Sequence, residues 1–219
     1  MPTSLTLTTR ALLLDMDGTL VNSDAVVERC WRRWAETNGL DPAEVLRLAH
    51  GRQAHATMAA LLPDRPVALN RADNDRMLAE EKADVEGVVP IPGAAAFLAS
   101  LAGLPHALVT SADEPLARVR MAAADLPLPP VLVTAESVGA SKPDPEGFLK
   151  GAAALGFAPA DCLALEDSSA GIAAAVAAGI PVLGIGPRAT AHRTAAHAPT
   201  LEQVTVTPAP DGTLTVHIA

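Results

Sequence analysis

The sequence predicts an α/β protein in which a doubly wound parallel sheet carries an α-helical domain inserted after its first strand. Segment 12–20, LLLDMDGTL, opens with an apolar run typical of a buried parallel strand. Residues 22–88 show helical patterns and no convincing strand. Beyond residue 94, strands and helices alternate at lengths typical of a sheet covered on both faces. We therefore predict a discontinuous core of residues 1–21 and 89–219, and a helical cap domain of residues 22–88, here called the insertion.

Several helices are predicted within the insertion. Ser23 is suited to cap a helix over residues 25–36, whose apolar side chains recur at helical spacing. Asp41 and Pro42 predict the start of a second helix, because aspartate is a favoured N-cap and proline a favoured first residue. Further helical patterns cover residues 58–62 and 69–84.

The rest of the core follows a regular alternation. The predicted elements are helix 94–101, strand 106–110, helix 114–124, strand 131–134, helix 145–155, strand 162–166, helix 168–178 and strand 181–184. Alternating apolar and polar residues around a Pro-Asp-Gly turn predict a hairpin of residues 203–206 and 213–218. In parallel sheets of this kind, ligands bind beyond the carboxyl ends of the strands.

Composition excludes several classes of partner. The 16 Lys and Arg residues against 25 Asp and Glu give a net charge of −9, which disfavours nucleic acid. No apolar run is long enough to span a bilayer, and the amino terminus lacks a basic segment followed by an apolar block, so we expect a cytoplasmic protein without a membrane partner. Cys30 and Cys162 lack the spacing of a zinc site and are expected to be buried. Oligomeric state has no signal in the sequence.

Asp15 and Asp17 follow the first strand and begin on the same side of it, because side chains alternate along a strand. Gly18 makes a turn at this point inexpensive. Two carboxylates this close either raise each other's pKa or require a cation, and oxygen ligands suit magnesium. The alternative is an acidic surface loop after a strand.

Three later segments carry complementary polar groups. Thr110 and Ser111 offer hydroxyl and N–H groups to phosphate oxygens, and Lys142 offers a positive charge. Glu166 and Asp167 end another strand with further oxygen ligands. Taken singly, these residues could be a helix cap, a solvated lysine and helix-initiating acids. Their combination at the carboxyl ends of strands favours one shared site.

DMDGT, VTS, SKPDP and LEDS stand in this order along the chain, and the sequence resembles the haloacid dehalogenase superfamily of phosphohydrolases over essentially its whole length. The resemblance implies a Rossmann-like core, and the insertion resembles the small α-helical cap of that family. DMDGTLVNS, HGRQA and LEQVTVTPAPDG are similar to segments of bacterial sugar and hexitol phosphatases. A small phosphate ester is therefore the expected substrate.

The resemblance also implies roles for the residues that match the motifs. Asp15 would attack phosphorus and form an aspartyl-phosphate, while Asp17 would protonate the leaving alcohol and then deprotonate water. The phosphoryl oxygens would be bound by Thr110, Ser111 and Lys142.

A magnesium ion is the cofactor that the resemblance implies. Its ligands would be the Asp15 carboxylate, the Asp17 backbone carbonyl and the Asp167 side chain. Glu166 would be a supporting acid.

Substrate choice is expected to lie in the insertion, whose most polar break is AHGRQAH at residues 49–55. His50 and Arg52 are the candidate substrate contacts there, because an arginine can bind hydroxyl or phosphate oxygens. The alternative is an exposed turn with an incidental arginine.

The sequence is consistent with three functional hypotheses. The favoured one is a magnesium-dependent phosphatase of sugar or hexitol phosphates. A phosphosugar mutase of the β-phosphoglucomutase type is the second, but related mutases carry histidine twelve residues after the nucleophile, where this chain has Val27. The third is a non-catalytic binding protein on the same scaffold, which the complete set of motif residues disfavours. Haloacid dehalogenation is disfavoured because it needs neither the second aspartate nor a metal.

Overall fold

The structure is a computed structural model that describes residues 5–219. Its strands are β1 (Leu5–Thr9), β2 (Ala11–Leu14), β3 (Val21–Asn22), β4 (Val89–Pro90), β5 (His106–Val109), β6 (Val131–Val133), β7 (Cys162–Glu166), β8 (Val182–Ile185), β9 (Ala196–Ala198), β10 (Val204–Pro208) and β11 (Leu214–Ile218). Its α-helices are α1 (Asp24–Thr37), α2 (Pro42–Ala49), α3 (Ala54–Leu61), α4 (Val67–Ala83), α5 (Ala94–Ser100), α6 (Glu114–Ala123), α7 (Glu146–Leu155), α8 (Ser169–Ala177) and α9 (Gly186–Ala189).

The main sheet has six parallel strands in the order β6-β5-β2-β7-β8-β9. Strand β2 lies between β5 and β7, with Leu13 opposite Ala107 on one side and Ala164 on the other. The predicted doubly wound parallel sheet is therefore confirmed. Because the strands are parallel, the residues that follow β2, β5 and β7 meet at one edge of the sheet.

Both faces of the sheet are covered, which explains why β2 is apolar at every position. Leu12 and Leu14 pack into a core shared with α1, α5 and α6, whereas Leu13 packs into a second core with Phe148 of α7 and Ile172 of α8. All four residues of β2 are buried. Alternation along the strand thus divides its side chains between the two layers of helices.

Helices α1–α4 form the insertion, close to the sequence expectation. The second helix begins as predicted, with the Asp41 side chain accepting the Ala43 N–H and Pro42 at the first position. The chain leaves the core through β3 and returns to it through β4. These two strands pair with each other, with Val21 opposite Pro90. The division into domains at residues 22–88 stays a prediction, and residues 1–4 of the predicted core lie outside the described residues.

A separate antiparallel sheet has the order β1-β11-β10. Its β10–β11 hairpin confirms the prediction for the end of the sequence, while β1 was not predicted. Strand β1 pairs with β11, so that Leu5 lies opposite Ile218. A local sequence pattern does not indicate a pairing partner so distant in sequence. Strand β9 was also missed, because three residues are too few to show a period. Among residues 5–219, no helix has both the length and the apolar character to cross a bilayer.

Candidate active site

Asp15 directly follows β2 and is 5 % exposed. The Lys142 ammonium lies 2.6 Å from Asp15 Oδ1, 2.7 Å from Glu166 Oε1 and 3.1 Å from the Val109 carbonyl oxygen. Burial by itself would lower the pKa of Lys142, but the carboxylates of Asp15 and Glu166 outweigh it and raise that pKa. Lys142 therefore places a permanent positive charge beside Asp15.

Glu166, the last residue of β7, is fully buried. Its Oε2 accepts hydrogen bonds from the N–H groups of Asp167 and Ser168, both at 2.8 Å, and from Ser168 Oγ at 3.0 Å. A Cβ at Gly171 would come within 1.5 Å of Glu166 Oε1, so glycine lets α8 begin against this carboxylate. With both oxygens bonded, Glu166 is fixed in place at the bottom of the site.

Asp167 is 2 % exposed and has one free oxygen. Its Oδ2 accepts from Arg188 Nε at 2.7 Å, whereas its buried Oδ1 has no hydrogen-bond partner among residues 5–219. Oxygens of Asp15, Glu166 and Asp167 all lie within 4.8 Å of one another. An unpaired buried oxygen beside two more carboxylates is a donor set that fits a hard cation such as a divalent metal ion.

The carboxyl groups of this cluster are costly to ionise without such a cation. Burial, followed by the charge of Glu166, raises the pKa of Asp15 well above its usual range. The same two causes raise the pKa of Asp167 to about 7, although Arg188 acts in the opposite direction. A divalent ion would lower both pKa values by supplying the missing positive charge.

Asp17 lies in the turn that follows Asp15, and both of its carboxylate oxygens are held. Ser23 Oγ donates to Oδ1 at 2.7 Å, and Arg120 Nη1 donates to Oδ2 at 2.7 Å. Ser23 does occupy the N-cap position of α1, but its side chain makes no capping hydrogen bond. The predicted N-cap position of Ser23 is therefore confirmed, while its hydroxyl bonds to Asp17 rather than to the helix.

Thr110 and Ser111 follow β5 beside this cluster. Thr110 is buried, and its Oγ1 accepts the N–H of Ala112 at 3.1 Å, which fixes the turn. Ser111 Oγ donates to the carbonyl oxygen of Gly51 at 2.8 Å. The turn after β5 thus joins the candidate site to the insertion.

The polar break in the insertion rests on three core loops. Besides the contact to Ser111, the Gln53 N–H donates to Ser141 Oγ at 2.8 Å. Gly51 has φ of +77°, and a Cβ there would lie 2.0 Å from Ser168 Oγ. Only glycine therefore fits between the insertion and the start of α8 without a shift.

A cavity of 360 Å³ opens between the core and the insertion. Asp15, Asp17 and Thr110 line it from the core, and the predicted substrate contacts His50 and Arg52 line it from the insertion. Burial and then the charge of Arg188 lower the pKa of His50. Further lining residues include Val27, Trp31, Asn74, Met77, Glu81, Glu136 and Arg188. The volume lies within the range of small-molecule sites, which runs from about 300 to 1,000 Å³.

Three charged residues at the site were not predicted. Arg120 of α6 and Glu81 of α4 form a buried pair next to Asp17. Arg188 joins Asp167 to Asp24 at the start of α1, with 2.9 Å from its Nη1 to each Asp24 oxygen. A signal existed for Arg120 and Glu81, which fall on the same buried helix faces as Leu116 of α6 and Met77 of α4. No periodic or motif signal marks Arg188.

The chain is similar to known hydrolases over most of its length. The model of the haloacid dehalogenase-like hydrolase family matches residues 9–179. The chain is 41% identical over 210 residues to hexitol phosphatase A of Escherichia coli (strain K12), covering 93% of this chain and 96% of that protein. It is 34% identical over 185 residues to validoxylamine A 7'-phosphate phosphatase of Streptomyces hygroscopicus subsp. limoneus, covering 80% and 85%.

A solved structure shows the same fold. The β-phosphoglucomutase of Clostridium difficile superposes with a TM-score of 0.75 at 17% identity, covering 90% of this chain and 93% of that one. At this identity the likeness concerns the fold alone. The family match and the identity to hexitol phosphatase A, by contrast, extend over most of the sequence. The chain therefore belongs to the haloacid dehalogenase-like hydrolase family.

Proposed function

We propose that this protein is a magnesium-dependent phosphatase that hydrolyses phosphate monoesters of hexitols or related sugars through an aspartyl-phosphate. The observation that carries the proposal is the buried Asp15 carboxylate, which is bonded to Lys142 and lines a 360 Å³ cavity between the core and the insertion. This arrangement combines a nucleophile, a positive charge for phosphoryl oxygens and room for a small substrate.

In the first step, Asp15 attacks phosphorus and the bond from phosphorus to the alcohol oxygen breaks. Asp17 donates a proton to that oxygen, so the substrate leaves as a neutral alcohol. Lys142 and the groups of Thr110 and Ser111 stabilise the negative charge on the transferring phosphoryl group. The product on the enzyme is an aspartyl-phosphate at Asp15.

In the second step, water attacks the phosphorus of the aspartyl-phosphate. Asp17, which lost its proton to the alcohol, accepts a proton from this water. Inorganic phosphate leaves and the Asp15 carboxylate is regenerated. The insertion limits the access of bulk water to this site, which favours controlled transfer over side reactions.

The metal site would use the Asp15 and Asp167 carboxylates with the Asp17 backbone carbonyl, and Glu166 would support them. When bound, magnesium supplies positive charge that offsets the repulsion between these carboxylates and the phosphate dianion. The free Asp167 Oδ1 supports this assignment because nothing in residues 5–219 bonds to it.

Magnesium should raise the melting temperature of the metal-free protein, and Asp167→Asn should remove most of that rise. The physical reason is that an ion bound only by the folded state stabilises it, and an amide is a weaker ligand than a carboxylate for a hard cation. Differential scanning fluorimetry with and without magnesium measures both effects. Asp64→Asn, an exposed acid between α3 and α4, is the matched control and should keep the full rise. An unchanged rise in Asp167→Asn would contradict the ligand assignment.

The substrate class rests on the cavity and on the relatives. Polar groups of His50, Arg52 and Asn74 face the same cavity as Trp31 and Met77, a mixture suited to a ligand with hydroxyl groups on a carbon chain. Relatives named as hexitol phosphatase and validoxylamine phosphate phosphatase support a polyhydroxylated alcohol. We assign His50 and Arg52 as the contacts of the insertion to that alcohol.

Purified protein should release phosphate fastest from hexitol or hexose phosphates when tested against these esters, glycerol phosphate and nucleoside monophosphates. Magnesium should be required, and chelation should stop the release. In the same panel, Arg52→Ala should lower kcat/KM for the best ester by roughly ten- to hundredfold, since a lost hydrogen bond to a charged group is worth about 1.5–3 kcal/mol. Arg47→Ala, on the neighbouring helix α2, is the matched control.

Other outcomes of the panel point to the other functions. Isomerised sugar phosphates without free phosphate would favour a mutase. Val27, which lines the cavity at the position where related mutases carry histidine, argues against that function. Phosphate release confined to nucleotides would defeat the sugar assignment. No turnover of any ester, with magnesium present, would favour a binding protein. An unchanged kcat/KM in Arg52→Ala would remove Arg52 from the substrate site.

A further inference from the structure

Arg120 is a charged side chain of core helix α6 that is only 4 % exposed. Its Nη1 lies 2.7 Å from Asp17 Oδ2, and its Nη2 lies 2.5 Å from Glu81 Oε2 on α4. Asp17 and Arg120 are 103 positions apart in the sequence, whereas Arg120 and Glu81 are 39 apart. One guanidinium therefore connects the turn after the nucleophile, a core helix and the insertion.

The buried contacts of Arg120 with Asp17 and Glu81 are not explained by a gain in folding stability. Burying an ion pair costs desolvation that its attraction often fails to recover, and an apolar pair of similar size is frequently as stable. Arg120 also leaves its Nε buried without a hydrogen-bond partner among residues 5–219, which adds to the cost. A locally unfavourable group beside a reacting carboxylate is typical of a functional constraint.

We propose that Arg120 is a positioning residue for Asp17 and that Glu81 of the insertion holds the Arg120 guanidinium in place. The proposal rests on the proposed function, in which Asp17 transfers protons. Arg120 fixes one carboxylate oxygen of Asp17 and Ser23 fixes the other, so the carboxylate has both its location and its plane defined. Orientation of this kind determines how well a general acid reaches the leaving oxygen.

The role of Glu81 follows from its place on α4. Glu81 is buried and bonds to Nη2 of the guanidinium, whereas Asp17 bonds to Nη1. Arginine can serve two carboxylates at once because its N–H groups form a rigid planar fork, which a lysine lacks. The insertion thus contributes to proton transfer through Glu81, in addition to its proposed contacts with the substrate.

Two substrates with different leaving groups distinguish a positioning role of Arg120 from a merely structural one. An aliphatic alcohol is a poor leaving group and needs the proton from Asp17, whereas para-nitrophenolate leaves without one. The ratio kcat/KM reports steps up to formation of the aspartyl-phosphate and departure of the alcohol. If Arg120 acts through Asp17, its loss will reduce kcat/KM for a hexitol phosphate far more than for para-nitrophenyl phosphate.

The test uses the full chain with Arg120→Met and Glu81→Leu combined, so that Glu81 is not left as a buried charge without a partner. We expect kcat/KM to fall about a hundredfold for the hexitol phosphate, the lower end of what general acid catalysis contributes, and less than about threefold for para-nitrophenyl phosphate. Single variants Arg120→Lys and Glu81→Gln should show the same selective loss to a smaller extent. These single variants keep side chains of similar size. They therefore test the positioning role even if the double variant is unstable.

Lys82→Met is the matched control. Lys82 lies next to Glu81 on α4 and makes another contact between insertion and core, 2.7 Å from Asp113 Oδ2, without touching Asp17. It should change the two kcat/KM values by equal, small factors. Equal losses for both esters in the Arg120 and Glu81 variants would show a structural role, and an increase would show that Arg120 restrains Asp17. Either result overturns the proposal. Wild-type protein that hydrolyses neither ester would overturn the proposed function itself.

Discussion

Asp15→Asn should abolish phosphate release from every ester, with kcat lower by at least about ten-thousandfold, as is typical for loss of a catalytic nucleophile. An amide is too weak a nucleophile to attack phosphorus. Glu166, the other carboxylate bonded to Lys142, is fully buried and held by the N–H groups of Asp167 and Ser168, so it does not replace Asp15. Acid quench of wild-type protein during turnover should trap a phosphoryl group on the peptide that contains Asp15. The variant should trap none.

The variant should also stay folded, because asparagine has the shape of aspartate and Lys142 keeps Glu166 and the Val109 carbonyl as partners. Circular dichroism and the melting temperature test this part. Asp64→Asn serves again as the control for an exposed carboxyl. Turnover of Asp15→Asn near the wild-type rate would refute the nucleophile assignment, while loss of the fold would leave the trapped phosphoryl peptide of the wild type as the deciding measurement.

Lys142→Met should have the largest combined effect on stability and activity. It removes the cation that bonds two buried carboxylates, Asp15 and Glu166, and leaves them near Asp167 without compensation. Breaking a buried pair in this way costs about 3–5 kcal/mol of unfolding free energy. Loss of one group that stabilises the transferring charge should lower kcat by at least about a hundredfold.

Urea denaturation in a chelator measures the stability part, and phosphate release measures the activity part. Added magnesium should recover some of the lost stability in Lys142→Met, because it also neutralises the carboxylates, but should leave kcat low. Lys150→Met is the matched control on α7, where Lys150 forms an exposed pair with Glu146 and should contribute less than about 1 kcal/mol. Wild-type stability of metal-free Lys142→Met would contradict the electrostatic account of the site.

The sheet could be predicted because its information is local. Strands β2, β5 and β7 are short apolar runs, and each is followed by polar residues that have no place in a buried strand. The parallel order then brings the ends of these strands together. Asp15, Thr110 and Asp167 were found for this reason and for their family motifs, and Lys142, in the loop between β6 and α7, was found for its motif. Their catalytic roles stay predictions.

The residues that were missed depend on contacts between distant segments. Arg120 and Glu81 stand on helices whose patterns show only which face is buried, and neither sequence position indicates that Asp17 is near. The bond from Ser23 to Asp17 could not be predicted for a related reason, since a serine before a helix usually caps it with its hydroxyl and only the position of Asp17 gives that hydroxyl another partner. Arg188 follows a strand without any motif.

The close fit at Gly51 has a consequence for exchanging substrate specificity between members of the family. A side chain at this position would strike Ser168, whose hydroxyl is already committed to Glu166 and to the N–H of Gly171. An insertion grafted from another protein would therefore pack on this core without a shift only if it brought a glycine to the same point. Substrate specificity therefore depends on matched surfaces of the insertion and the core. The contact at Gly51 limits which insertions can pack against this core.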